Sequence, residues 1–245
     1  MKRHGFTLLE LLLATAILVV LGALVARALL DQADLARRTQ ARNEVQDRAR
    51  MVLELVKQDL LLAGSSRYVS FNSGASFIPV VSTAAWSGQA CSASNPCLQA
   101  DAANATAVRD RFSVRYVTSL RPSSAACRKV AYSFSGTTLQ RSDVACGSSD
   151  SPQPLADNIL ALNVVFECAN GTTAHGGTPL CSGSYPRAAK VTVVASSLRQ
   201  APGNPPEATS FTVETASGNS TISCPPGYIC YALTERVELP SLKDQ

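Results

Sequence analysis

GFTLLELLLATAILVVLGALVARALL, residues 5–30, follows the short basic leader MKRH and decides how the rest of the chain is read. From Phe6 to Ala26 it is apolar almost without a break, and spanning a bilayer takes roughly 20 such residues. One carboxylate interrupts it, Glu10. An acid inside an apolar span is rare and costly, so it marks a functional site by default. At about 1.5 Å of rise per residue, Glu10 lies only about one turn beyond Phe6. Lys2 and Arg3 precede the span, which by the positive-inside rule leaves the N-terminus in the cytoplasm and carries the body across the inner membrane.

Beyond Leu30 the chain turns polar while keeping a helical pattern: DQADLARRTQARNEVQDRARMVLELVKQDLLLAG. No proline occurs between Phe6 and Gly64, and Gly22 is the weak point of the run. Val45, Ala49, Val52, Val56, Leu60 and Ala63 step by three or four, which is one face of a helix. Arg37, Arg38, Arg42, Arg48, Arg50 and Lys57 balance Asp31, Asp34, Glu44, Asp47, Glu54 and Asp59 on the other faces. The spacing predicts one helix over 6–63, about 85–90 Å long at ~1.5 Å per residue, stopped by Gly64. Its first half suits a membrane or filament core, and its second half can dock on a sheet.

The opening GFTLLE, with glycine at the junction and glutamate four residues past the phenylalanine, resembles the type IV prepilin family. That family covers type IV pilins, their minor pilins and the pseudopilins of type II secretion. The resemblance implies that Gly5 precedes the cut made by a prepilin peptidase and that Phe6 becomes the N-methylated terminus. It also implies that Glu10 meets the terminal amine of a neighbouring subunit. A carboxylate removed from water needs a cationic partner, and an amine offered by the next subunit would fix the axial register as well. Many major pilins carry a proline in the apolar half that lets the helix melt locally. None stands here, so melting is expected nowhere except at Gly22.

Two other readings of the same stretch compete. Ala26-Arg27-Ala28 fits the cleavage site of a secretory signal, which would leave a secreted, disulfide-rich binding protein beginning at Leu29. The apolar run exceeds the roughly 7–15 residues of such a signal, and the helical pattern continues past the cut without a linker. A plain membrane anchor with an incidental Glu10 is the other.

The 245 residues therefore divide into a leader (1–5), a membrane or filament-core helix (6–30), an amphipathic continuation (31–63) and a globular unit (64–245). The last is long enough to bury a proper core. A net charge of +4 gives no global case for a nucleic-acid partner. All eight cysteines fall in the exported part, where an oxidising compartment favours disulfides. Nearest-neighbour pairing gives Cys91–Cys97, Cys127–Cys146, Cys168–Cys181 and Cys224–Cys230, although sequence leaves the connectivity open. No CxxC occurs and His175 is the one exported histidine, so no metal and no cofactor are expected.

Residues 65–106 are rich in Ser, Ala, Gly and Asn, and read as a long connection with a strand at 77–82 and a stapled loop, CSASNPC. RFSVRYV (111–117) alternates strictly, with Phe112, Val114 and Tyr116 on one face and Arg111, Ser113 and Arg115 on a solvated one. With Arg109, Arg121, Arg128 and Lys129 nearby, it forms the one basic cluster open to DNA or anionic lipid; nothing else in the chain supports such a partner. CRKVAYSFSGTTLQRSDVAC (127–146) reads as a β-hairpin turning at Ser135-Gly136, with strands at 130–134 and 137–141. Counting outward brings Cys127 within about two residues of facing Cys146, and such a staple removes unfolded-state freedom worth ~3 kcal/mol. Further strands are predicted at 159–167, 189–196, 210–215 and 231–239, separated by loop compositions that include the proline-rich 201–207. One long helix followed by a run of strands is an α+β unit with a mainly antiparallel sheet.

The order VAYSF…LQR, PLADNILALNVVF, PRAAKVTVVAS, TERVEL resembles PilW-like minor pilins and J-type pseudopilins. In those, a V-x-Y…L-x-R hairpin precedes the remaining strands. That likeness implies a minor subunit that helps prime filament assembly at or near a pilus tip, with a type II secretion or DNA-uptake pseudopilin as the alternative. Its partners would be other pilins and minor pilins, the prepilin peptidase, and the inner membrane before assembly; the mature chain would end on the pilus at the cell surface. No nucleophile elbow, His–carboxylate grouping or phosphate loop is legible, so no enzyme is expected. His175, alone in a Gly/Thr loop, is expected to be solvent-exposed.

Overall fold

The computed structural model describes residues 8–65, 70–73, 76–79, 96–118, 127–177, 179–201, 210–216 and 218–242. Helix α1 occupies Leu8–Leu62 as one unbroken element of 55 residues, passing through Ala26–Leu29 without a pause. It ends because Gly64 takes the left-handed conformation (φ 74°), which side chains other than glycine resist. The Gly64 N–H donates to the Arg115 carbonyl at 2.9 Å, so the helix end is tied into the sheet.

The strands follow in chain order: β1 (Ser70–Ser73), β2 (Ser76–Pro79), β3 (Leu98–Ala100), β4 (Phe112–Val117), β5 (Cys127–Ser135), β6 (Thr138–Ala145), β7 (Gln153–Ala156), β8 (Ile159–Cys168), β9 (Thr173–Ala174), β10 (Pro186–Ser196), β11 (Ser210–Thr215), β12 (Gly218–Ser223) and β13 (Cys230–Glu238). They form a five-stranded sheet β3-β4-β5-β6-β7, a four-stranded sheet β13-β10-β8-β9, and the hairpins β1-β2 and β11-β12. Among the described residues every strand pairing is antiparallel. Isolated bridges from Arg109 to Leu162 and from Ala100 to Gly177 join the two larger sheets.

The second half of α1 lies against both sheets. Val45, Ala49, Val52, Leu53, Val56, Leu60 and Ala63 are buried with Val114, Val130 and Leu139 of one sheet and Leu162, Phe166, Val191 and Val193 of the other. Apart from Leu53, which the spacing did not mark, this is the stripe read as the docking face. The opposite face of the four-stranded sheet is covered in turn: Leu160, Ala161 and Val194 pack against Val213 and Ile222 of the β11-β12 hairpin. Strand β8 is thus sandwiched, which explains its near-continuous apolar run.

Several expectations are corrected. The hairpin turn falls at Gly136-Thr137, one residue later than read, because Ser135 pairs with Thr138. Gly136 adopts φ 62°, the conformation a two-residue hairpin loop requires. The shift brings the Cys127 carbonyl to the Cys146 N–H at 3.0 Å, in full register. Strand β4 is not half-solvated: Ser113 and Arg115 are 8% and 9% exposed. It is an interior strand between β3 and β5, and the loop after β6 folds back over that face. Ser151 N–H donates to Ser142 Oγ at 2.9 Å, and Lys129 holds Asp150 at 2.9 Å. The connection before β3 carries a short hairpin, β1-β2, rather than a single strand at 77–82; residues 80–82 and 202–207 lie outside the described residues.

Candidate assembly interface

The first half of α1 is apolar and uncovered. Leu8, Leu18, Leu24 and Leu30 are 77%, 73%, 60% and 68% exposed. A stretch with mean hydropathy 2.7 and none of its residues buried is long and apolar enough to cross a membrane. A contiguous apolar surface of this size marks a site of protein or lipid contact. Glu10 sits in the first turn of the described helix, on this exposed surface. Gly5 and Phe6, expected to flank the peptidase cut, lie outside the described residues.

The second half is fastened to the globular unit by polar contacts as well as by the core. Arg48 donates to the Ser196 carbonyl at 2.8 Å and to Glu44 at 2.6 Å. Lys57 reaches Glu235 on β13 at 2.5 Å. Asp59 was expected among the solvated charges, yet it is 3% exposed. It lies on the docking stripe between Val56 and Leu60, and two partners on the five-stranded sheet meet it there. Arg141 donates to both its oxygens, at 2.9 and 3.0 Å, and the Tyr132 hydroxyl donates to Oδ2. Tyr132 and Arg141 face each other across the β5-β6 hairpin, so a single cross-strand pair presents both groups to the helix. Burial, and then Asp59, push the Tyr132 hydroxyl up; the bond to Asp59 holds the Arg141 guanidinium up. A carboxylate buried with a bidentate cation and a hydroxyl is fully satisfied, which is what makes its burial tolerable.

Disulfides join Cys127 to Cys146, Cys168 to Cys181 and Cys224 to Cys230, with Cα separations of 5.4, 5.9 and 5.9 Å. Cys97 is also disulfide-bonded, and Cys91 lies outside the described residues. The bridges close the open end of the β5-β6 hairpin, the loop carrying β9, and the turn that leads into β13.

Two buried titratable groups lie away from the helix. His175, expected in solvent, is 7% exposed beside β9, and burial lowers its pKa. Asp110 is fully buried; its Oδ2 accepts from the Val164 N–H of β8 at 2.6 Å, while its own N–H donates to the Leu162 carbonyl at 2.8 Å. Burial raises the Asp110 pKa to about 8, against the opposing pull of that backbone bond. The folded pKa exceeds the unfolded value, so the folded state binds one proton more between the two. Stability is full below the unfolded pKa and falls as pH rises from about 4 to about 8, by at most about 1.4 kcal/mol per unit. Asp110→Asn is expected to flatten that slope and to stabilise the chain most at pH 8, measured by denaturant unfolding in detergent across that range. An unchanged slope would show that Asp110 is ionised in the fold.

Three comparisons bear on this arrangement. Residues 1–26 match the model for the prokaryotic N-terminal methylation motif. The chain is 44% identical over 253 residues to the pilin-like protein PilA3 of Thermus thermophilus, covering 99% of this chain and 98% of that one. A solved type IV-like pilin from Thermus thermophilus superposes with a TM-score of 0.52 at 14% identity, covering 80% of this chain and 97% of that one. The last shows likeness of fold alone.

Proposed function

The chain belongs to the type IV pilin-like proteins, and on that premise we propose that it is a minor, low-abundance filament subunit made as a single-pass inner-membrane precursor. Prepilin peptidase cuts it after Gly5, and Phe6 becomes the N-methylated terminus. It then leaves the bilayer and joins other pilins at or near the tip of a type IV pilus, where it helps prime assembly. The observation that carries this reading is the division of α1: an exposed apolar first half continuous with a second half clamped into a disulfide-stapled unit. Helix packing among subunits replaces lipid around the apolar half, so the net transfer energy is small. Packing and the contact between Glu10 and the neighbouring amine then decide the order of assembly. The strand order from VAYSF to TERVEL supports the PilW-like, minor-subunit assignment.

Mass spectrometry of the mature N-terminus tests the processing. The expected first residue is Phe6, carrying a methyl group. A first residue of Leu29 would instead identify a secreted protein released by signal peptidase.

A further inference from the structure

We propose that a cleft on the outer face of the five-stranded sheet, the face turned away from α1, binds a neutral sugar, one hexose ring of a glycan. The proposal does not draw on the reading of the chain as a minor or tip subunit.

Antiparallel register lines up Gln99, Ser113, Ala131 and Ser142 as one row across β3, β4, β5 and β6. Side chains alternate across a strand, and Val114 and Val130 next to this row belong to the core under α1, so the row faces the other way. It floors a cleft of about 490 Å³, a volume within the range of small-ligand sites. One wall is the loop after β6, where Ser151 N–H donates to Ser142 Oγ and Asp150 accepts from Lys129, both at 2.9 Å. The other wall is Asp101–Ala102 with Gly177. Gly177 N–H donates to the Ala100 carbonyl at 3.1 Å, and a Cβ on Gly176 would stand 1.9 Å from the Asp101 carbonyl oxygen. The loop closed by Cys168 and Cys181 therefore presses on that wall, and both walls are set before a ligand arrives.

Ser113 is 8% exposed, and its hydroxyl has no hydrogen-bond partner among the described residues. Buried polar groups are as a rule paired, so this one, lining the cleft, calls for a partner from outside the chain. The Arg111 guanidinium is also unpaired among the described residues. Asp101 spends Oδ1 on the Ala103 N–H at 3.0 Å, which leaves Oδ2 to accept. Charge on the lining is balanced, Arg111 and Lys129 against Asp101 and Asp150, so a phosphate or a nucleic-acid backbone has no advantage there. Strands β4 and β5 are interior, their backbone groups spent on neighbouring strands, which leaves a peptide no edge to join on this floor. What remains for recognition is serine hydroxyls, an amide and fixed charges, a mixture of donors and acceptors. The adjacent hydroxyls of a sugar ring, each able both to give and to accept, match that mixture.

The test is isothermal titration of the full-length chain, held in a detergent without a sugar headgroup, with lactose, maltose, mannobiose and diacetylchitobiose, and with sodium phosphate beside them. At least one disaccharide should give a saturable isotherm, and phosphate none. Ser113→Ala should weaken that binding about fivefold without moving the melting temperature, because the hydroxyl it removes has no partner in the fold. Arg111→Ala, at an exposed position whose loss the core does not register, should weaken it about tenfold. Failure of all four disaccharides to saturate the chain, or undiminished binding by the Arg111 variant, would overturn the proposal. Phosphate binding as well as the sugar would overturn it too, by identifying an anion site.

Discussion

Asp59→Ala is expected to destabilise the fold by about 3 kcal/mol, at the lower end of what removing one partner of a buried ion pair costs. The lower end applies because the Arg141 side chain keeps 22% of its surface in solvent and can recover some hydration. Tyr132 is 1% exposed and has no such recourse. Its hydroxyl loses its acceptor inside the core, and an unsatisfied buried donor carries its full desolvation penalty. In a chain of this size the loss corresponds to a fall in melting temperature of about 6–12 °C. Asp59→Asn should lie between wild type and alanine, since the amide oxygen can still accept from Tyr132 while the charge that holds Arg141 is gone. A melting temperature within about 1 °C of wild type for the alanine variant, read by circular dichroism, would mean that the cluster does not fasten helix to sheet.

The second large effect concerns assembly rather than stability. Glu10→Ala is expected to leave the precursor stable and open to peptidase cleavage while reducing its recovery in sheared filaments about tenfold or more. Glu10 lies far from the buried stripe that begins at Val45, so the globular unit should not register the change. Insertion should become easier, since a charge within a span is unfavourable by ~2.5–3.5 kcal/mol at its centre and by less near an interface. The expected signature is therefore undiminished membrane accumulation with lost incorporation. Glu10→Asp should recover part of it, because the charge survives on a shorter arm. Normal incorporation of the alanine variant would remove Glu10 from the assembly contact.

The helix and the hairpin were legible because each obeys one strong period. A proline-free run with apolar residues every three or four positions marked the docking face from Val45 to Ala63. The β5-β6 hairpin was visible in its alternation and its glycine, with only a one-residue slip at the turn, where serine and threonine flank Gly136 and local preference does not choose between them. The second face of β4 was hidden because Ser113 and Arg115 are polar. What covers them is a loop after β6, and no alternation pattern reports on a distant loop. Strands β7 and β12, QPLA and GNSTIS, were missed for a related reason: neighbouring strands hold them in place, and their own propensity is weak. The Asp59 cluster is the instructive case. Tyr132 and Arg141 are the Y and R of the V-x-Y…L-x-R pattern, and Asp59 falls on the buried stripe of α1. All three positions could have been read, but a carboxylate counts as surface until its partners are known to lie across the interface. His175 was misjudged by the same habit of assigning polar loop residues to solvent.

For the chain to act as a filament subunit, the apolar first half of α1 must leave the bilayer for a protein lattice. The most direct measurement is quantitative mass spectrometry of purified sheared filaments beside the inner-membrane fraction, in cells with and without prepilin peptidase. The chain should appear in filaments, at low copy number relative to the major subunit, only when the peptidase is present, and should accumulate uncut in the membrane without it. Recovery of the chain solely in the membrane, or free in the medium without residues 6–28, would contradict the account.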